Sequence, residues 1–242
     1  VSTSLTSLNL VSKNITTVSV IVINTMEELL LNANNIVNFN PTETLPTSLK
    51  RLTLGGNQIV TFNPTLALPE GLVTLTLTNN DIIEFNPTIP LPSTLENIYL
   101  ESNSITNFNP TLALPTSLKI LAISGNQIST FNPTLPLPSG LEELHLQANN
   151  ISNFNPTLAL PNTIKRMYLN GNNLTSFNPT TGVSSGLQYL GLANNNISMS
   201  SWNTNTAWIN SAPNNAEIFA DNSILGTTTF SLLTSKVWTI TI

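Results

Sequence analysis

The chain has 242 residues, of which 40% are hydrophobic and only 8% charged, and it carries a net charge of −5. That is enough apolar chain for a large core, while seven basic residues without a basic run leave no phosphate-neutralising footprint, so nucleic acid is not an expected partner. With no cysteine, disulfides, thiolate metal sites and cysteine nucleophiles are all excluded.

The polar share is carried by Ser, Thr and Asn, a composition expected of an extracellular, cell-surface or virion-surface protein. No basic-then-apolar leader follows Val1, so a signal peptide is read as removed or never present. The longest apolar runs, such as residues 18–23, fall far short of the ~20 residues a membrane helix needs.

In chain order the elements are copies of one another. A degenerate first copy, LTSLNLVSKNITTV, starts at Leu5, and MEELLLNANNIVNF follows at Met26. LKRLTLGGNQIVTF (Leu49), LVTLTLTNNDIIEF (Leu72), LENIYLESNSITNF (Leu95) and LKILAISGNQISTF (Leu118) come next. LEELHLQANNISNF (Leu141), IKRMYLNGNNLTSF (Ile164) and LQYLGLANNNIS (Leu187) complete nine units. A second phrase, Phe-Asn-Pro-Thr, begins at Phe39, Phe62, Phe85, Phe108, Phe131, Phe154 and Phe177, always 23 residues apart. A fixed period of this length predicts a stacked array.

Within a unit, the alternation at Leu52 and Leu54 predicts a short half-buried strand. Stacked units would set these strands side by side at ~4.8 Å in a parallel sheet. The recurring Asn (34, 57, 80, 103, 126, 149, 172, 195) sits where the chain turns inward and predicts a ladder of amides bonding the backbone of adjacent layers. Lys13 breaks it in the first unit. Each Phe is expected to stack on the Phe of the next layer. The prolines that follow favour an extended, polyproline-like wall over helix.

Residues 201–242 hold all three tryptophans, Trp202, Trp208 and Trp238. AEIFADNSI, from Ala216, reads as a distorted last repeat and SKVWTITI as a strand. The expectation is a C-terminal cap whose aromatics cover the last layer, or a junction to a further domain or subunit. The apolar run 18–23 is expected to help seal the other end.

The pattern L-x-x-L-x-L-x-x-N-x-I/L-x-x-F resembles the leucine-rich repeat signature over roughly residues 5 to 200, and the Leu-Pro-x-x-Leu lead-in (LPTSLK from Leu45) is similar to its bacterial branch. The resemblance implies an α/β-type solenoid, here mostly β. It would be a curved horseshoe with a parallel sheet on the concave face, an extended Pro-rich convex wall and few or no helices. The domain reading is a degenerate N-terminal repeat and cap at 1–25, repeats at 26–200 and a cap or junction at 201–242.

In that architecture the residues flanking each central strand residue face outward on the concave side. Candidate ligand-binding residues there are Arg51, Tyr99, Glu101, Glu143, His145, Arg166, Tyr168 and Tyr189. They include every tyrosine, both arginines and the single histidine of the chain. Tyr and Arg dominate binding hot spots. The plainer account is that strand positions favour aromatics. His145 beside Glu143 has no serine or second carboxylate arranged with it, and two such residues are too few for a metal. No catalytic residue, cofactor or metal is assigned. Sequons occur at Asn14, Asn150, Asn173 and Asn196, each one residue past the ladder position.

The functional expectation is a non-catalytic recognition or adhesion module binding a protein or glycan on a cell or virion surface. The alternative is a structural subunit of a filament or virion, assembling through the strand-like segment 237–242 into a homo-oligomer.

Overall fold

The computed structural model describes residues 5–18 and 23–242. Its strands are three residues each: β1 (Ser7–Asn9), β2 (Glu28–Leu30), β3 (Arg51–Thr53), β4 (Thr74–Thr76), β5 (Asn97–Tyr99) and β6 (Ile120–Ala122). β7 (Glu143–His145), β8 (Arg166–Tyr168), β9 (Tyr189–Gly191), β10 (Glu217–Phe219) and β11 (Thr239–Thr241) continue the series. All lie in sequence order in one 11-stranded parallel sheet. The register never slips: Leu52 pairs with Leu75, Leu75 with Ile98 and Ile98 with Leu121. Because side chains alternate across a strand, this register puts every central residue in the core and the two flanking ones on the outer face.

The turn into each strand comes from the Leu-Pro-x-x-Leu lead-in. The Pro carbonyl accepts from the N–H three residues on, as Pro46 does from Leu49 and Pro115 from Leu118 at 3.0 Å. After each strand the chain enters the left-handed region just before the ladder residue, at Ala33, Gly56, Asn79, Ser102, Gly125, Ala148, Gly171 and Asn194.

That turn delivers the Asn inward. Asn103 Oδ1 accepts from the Ile82 N–H of the preceding turn at 3.0 Å. Its Nδ2 donates to Leu77 O of that turn at 3.0 Å and to Leu100 O of its own at 2.9 Å. The same pattern runs along the stack, so the buried amides are matched layer by layer.

The phenylalanines form the expected spine. Successive rings from Phe39 to Phe177 are 6.0–6.4 Å apart and within 16° of parallel, the offset arrangement aromatic pairs favour. A second clip lies on the Pro wall, at the Asn and Thr of Asn-Pro-Thr. Asn109 Oδ1 accepts from both the N–H and the hydroxyl of Thr134, one turn later, at 2.9 Å each.

Residues 201–242 do more than lie over the last repeat. They contribute β10 and β11, in register with β9. Ser223, as far beyond Ile218 as Asn57 is beyond Leu52, takes the ladder position and donates to Ile197 O at 2.7 Å. The Asn-Thr clip recurs between Asn203 and Thr228. Trp208 packs edge-on against Phe177 at 5.1 Å and against Trp238 at 6.1 Å, extending the aromatic column. Here the wall becomes helical, in α1 (Met199–Thr204) and α2 (Thr228–Ser235). No Asn-Pro phrase interrupts these turns, and Ser198 and Thr227 supply side-chain N-caps. At the other end, residues 19–22 of the expected sealing run lie outside the described residues, while Val18 and Ile23 on either side of them pack against the core.

Candidate functional site

The outer face carries two side chains from each strand and a third from the second residue beyond it, such as Glu101 after β5 and Gln147 after β7. Charges on this face and at the residue just before each strand pair along one rule, acid on one turn and base on the next. Glu27–Lys50 lies at 3.0 Å, Glu28–Arg51 at 3.5 Å, Glu96–Lys119 at 2.8 Å, Glu142–Lys165 at 2.7 Å and Glu143–Arg166 at 2.8 Å. Exposed pairs of this kind are worth little individually. Their effect is to neutralise these five cations.

Of the eight predicted residues, the structure brings five together. Glu143 pairs across the sheet with Arg166 and then Tyr189, and His145 pairs with Tyr168. Glu143 is clamped from two sides, by Arg166 on one oxygen and by His145 Nε2 on the other at 3.0 Å. The His145 ring meets Tyr168 at 4.5 Å, and Tyr168 meets Tyr189 at 5.0 Å. Burial alone would raise the Glu143 pKa, but the hydrogen bonds from His145 and Arg166 outweigh it and hold the carboxyl below its ordinary 4.5. The three tyrosines have pKa values raised above 10.0, first by burial and then by neighbouring carboxylates, so they remain neutral hydroxyls at physiological pH.

Tyr99 and Glu101 stand on the far side of β6, separated from His145 by the small Ala122. Arg51 lies apart, tied to Glu28 on the second and third strands. Two further residues belong to this face by their chemistry. Gln147 Oε1 and Asn170 Oδ1 are buried with no hydrogen-bond partner, as is Glu101 Oε2. The signal that finds them is position, since Glu101, Gln147 and Asn170 each lie three residues past the central strand residue, Ile98, Leu144 and Met167. Gly191 makes room for Asn170, because a Cβ there would come within 1.9 Å of Oδ1. Among the described residues no three of His, Cys, Asp and Glu are grouped to hold a metal, and no helix is long and apolar enough to cross a membrane.

The repeat motif, the parallel sheet and the Asn ladder define the class: a leucine-rich-repeat solenoid of 23-residue turns. No family model and no curated protein matches the chain. Among solved structures it is similar to YopM from Yersinia enterocolitica, at 19% identity and a TM-score of 0.42, over 80% of this chain and 54% of that one. The chain therefore spans about half the length of that protein. It is also similar to a leucine-rich repeat protein of Leptospira interrogans, at 20% identity and a TM-score of 0.30, over 81% of this chain and 67% of that one. A third is YopM of Yersinia pestis, described as a leucine-rich effector protein, at 18% identity and a TM-score of 0.27, covering 80% and 82%.

Proposed function

We propose that this chain is a non-catalytic recognition module that binds a protein through the outer face of β5 to β9, on a cell or virion surface. One observation carries the reading. The chain's scarce Tyr, His and Arg side chains pack against one another, half-exposed, on three adjacent strands. Rigid aromatic and Arg groups already held in place lose little entropy when a partner arrives. Core packing makes no demand for them there, because the core side of each strand is filled by its central residue.

The test passes arrays of extracellular proteins and glycans over the purified chain, with Arg166→Ala and Tyr168→Ala alongside and light scattering on all three. Loss of capture in both variants, at unchanged molecular size, supports the reading. Capture that survives both substitutions sinks it. A size that depends on residues 237–242 while the face variants are silent favours the rival, assembly through the β11 edge.

A further inference from the structure

The unpartnered oxygens on the outer face are placed unevenly. Tyr99, Ala122 and His145 pair directly across β5, β6 and β7. Two residues further along, Glu101, Ser124 and Gln147 continue that register, with the Ser102 N–H on Ser124 O at 3.0 Å and the Gly125 N–H on Gln147 O at 2.9 Å. Glu101 and Gln147 are thus two strand spacings apart, about 10 Å. The residue between them, Ser124, is too short to fill the gap. The register sets these two long side chains on either side of that short one, framing a notch, and the Glu101 carboxylate lies within electrostatic reach of His145.

Both orphaned atoms here, Glu101 Oε2 and Gln147 Oε1, are acceptors. The strong donors nearby are already engaged, Arg166 and His145 Nε2 both on Glu143. Arg51 and Arg166 on the strands, and Lys50, Lys119 and Lys165 just before them, are each paired with an acid of the preceding turn, and none of those acids is Glu101. A buried acceptor without a partner is unfavourable, so the notch calls for a ligand rich in donors. An ammonium offers three donors and no acceptor, whereas a sugar hydroxyl brings lone pairs that would need donors of their own. Single oxygens on separate side chains suit a compact point charge better than the flat fork of a guanidinium. The ring of Tyr99 adds a face for a cation.

We propose that the notch formed by Tyr99, Glu101, Ser124, His145 and Gln147 receives the ammonium of a lysine presented by the protein partner. This rests on the reading of the face as a protein-binding surface, and it names the chemistry that the partner must bring.

The experiment titrates the intact chain with acetyl-Gly-Lys-Gly-amide, and separately with the Gln and Arg versions of that peptide and with methyl α-glucoside, following the Gln147 side-chain amide and the tyrosine rings by NMR. The lysine peptide is expected to shift these signals selectively. Glu101→Gln should weaken it by at least ~10-fold, the loss expected for one charge-assisted hydrogen bond. Ser124→Leu, which fills the notch and leaves the carboxylate in place, should weaken it similarly. Affinity should also fall as pH drops through the raised Glu101 pKa, a dependence that a merely structural glutamate would not confer. Preference for the arginine peptide or the glucoside overturns the proposal, as does equal response to the Gln peptide or no response at all. If the peptides are ignored while protein capture still requires Tyr168 and Arg166, the lysine notch falls and the binding face stands.

Discussion

Asn86 and Thr111 lie 25 residues apart and hold neighbouring turns together: the Asn86 Oδ1 accepts from the Thr111 N–H at 2.9 Å and from its hydroxyl at 2.8 Å. The pairing recurs along the Pro wall, where proline has removed backbone donors that would otherwise join the layers. Thr111→Val keeps the shape and removes the hydroxyl bond, and should cost about 0.5–1 kcal/mol. Asn86→Ala should cost more, since the Thr111 N–H also loses its partner. A double-mutant cycle read by urea denaturation checks this. Additive losses would show that the two side chains do not act as one clip.

Asn103→Leu removes the acceptor of the Ile82 N–H and the donors to Leu77 O and Leu100 O, all buried. The expected cost is roughly 3 kcal/mol or more, because three backbone groups are left unmade inside the solenoid. Asn195→Leu should cost visibly less, since Asn195 is only half-buried where the ladder gives way to Ser223. Equal midpoints for the two variants would contradict this account of the ladder.

The left-handed position before each ladder residue gives an asymmetric pair. Gly171 has φ +64, and a Cβ there would have room, 3.6 Å from the Ala148 nitrogen. Gly171→Ala should therefore lose about 1 kcal/mol through backbone conformation alone. At Ala148, with φ 53, that strain is already present. Ala148→Gly should relieve it, offset by the greater freedom of glycine in the unfolded chain, for a net gain of ~0.5 kcal/mol or less. Thermal melts of the two single variants decide the matter.

Glu143 and Glu101 should respond to acid with opposite sign. Glu143 has its pKa depressed, so its contribution is present above 4.5 and is lost as pH falls through the folded value. Glu101 has its pKa raised, chiefly by burial, which outweighs its own backbone N–H and the charge of His145. Ionised Glu101 is thus a cost at neutral pH that disappears as pH falls through that raised value. At pH 7 Glu143→Gln should lower the melting temperature and Glu101→Gln should raise it, each by the equivalent of ~1 kcal/mol or less for groups this exposed. Both differences should shrink in acid. The gain at Glu101 also separates stability from the binding loss expected of the same variant.

Much of the fold is legible in the sequence because each turn contacts only its neighbours. A 23-residue period with the equivalents of Leu52, Leu54, Asn57 and Phe62 recurring in the seven units from Met26 to Ile164 leaves one stacking register in which apolar residues meet apolar and amide meets backbone. The Phe spine and the Asn ladder follow from that. The Asn-Thr clips were equally periodic, but an Asn beside Pro reads as wall, and its partner lies 25 residues away, an offset no local pattern exposes. In residues 201–242 the period is lost; the wording still marks a distorted repeat from Ala216 and a strand near the end, but only the assembled sheet shows that β10 and β11 continue the stack in register.

By itself the sequence determined the solenoid, its register and which residues occupy the outer face, since those depend on spacing alone. Which of them act together was decided by the tertiary structure. Glu143 is neutralised because Arg166 reaches it from the adjacent strand and His145 from its own, whereas Glu101 is left with a buried, unpartnered oxygen beside the short Ala122 and Ser124 of the next strand. Side-chain reach between strands, summed over three dimensions, sets that difference, and no single repeat contains it.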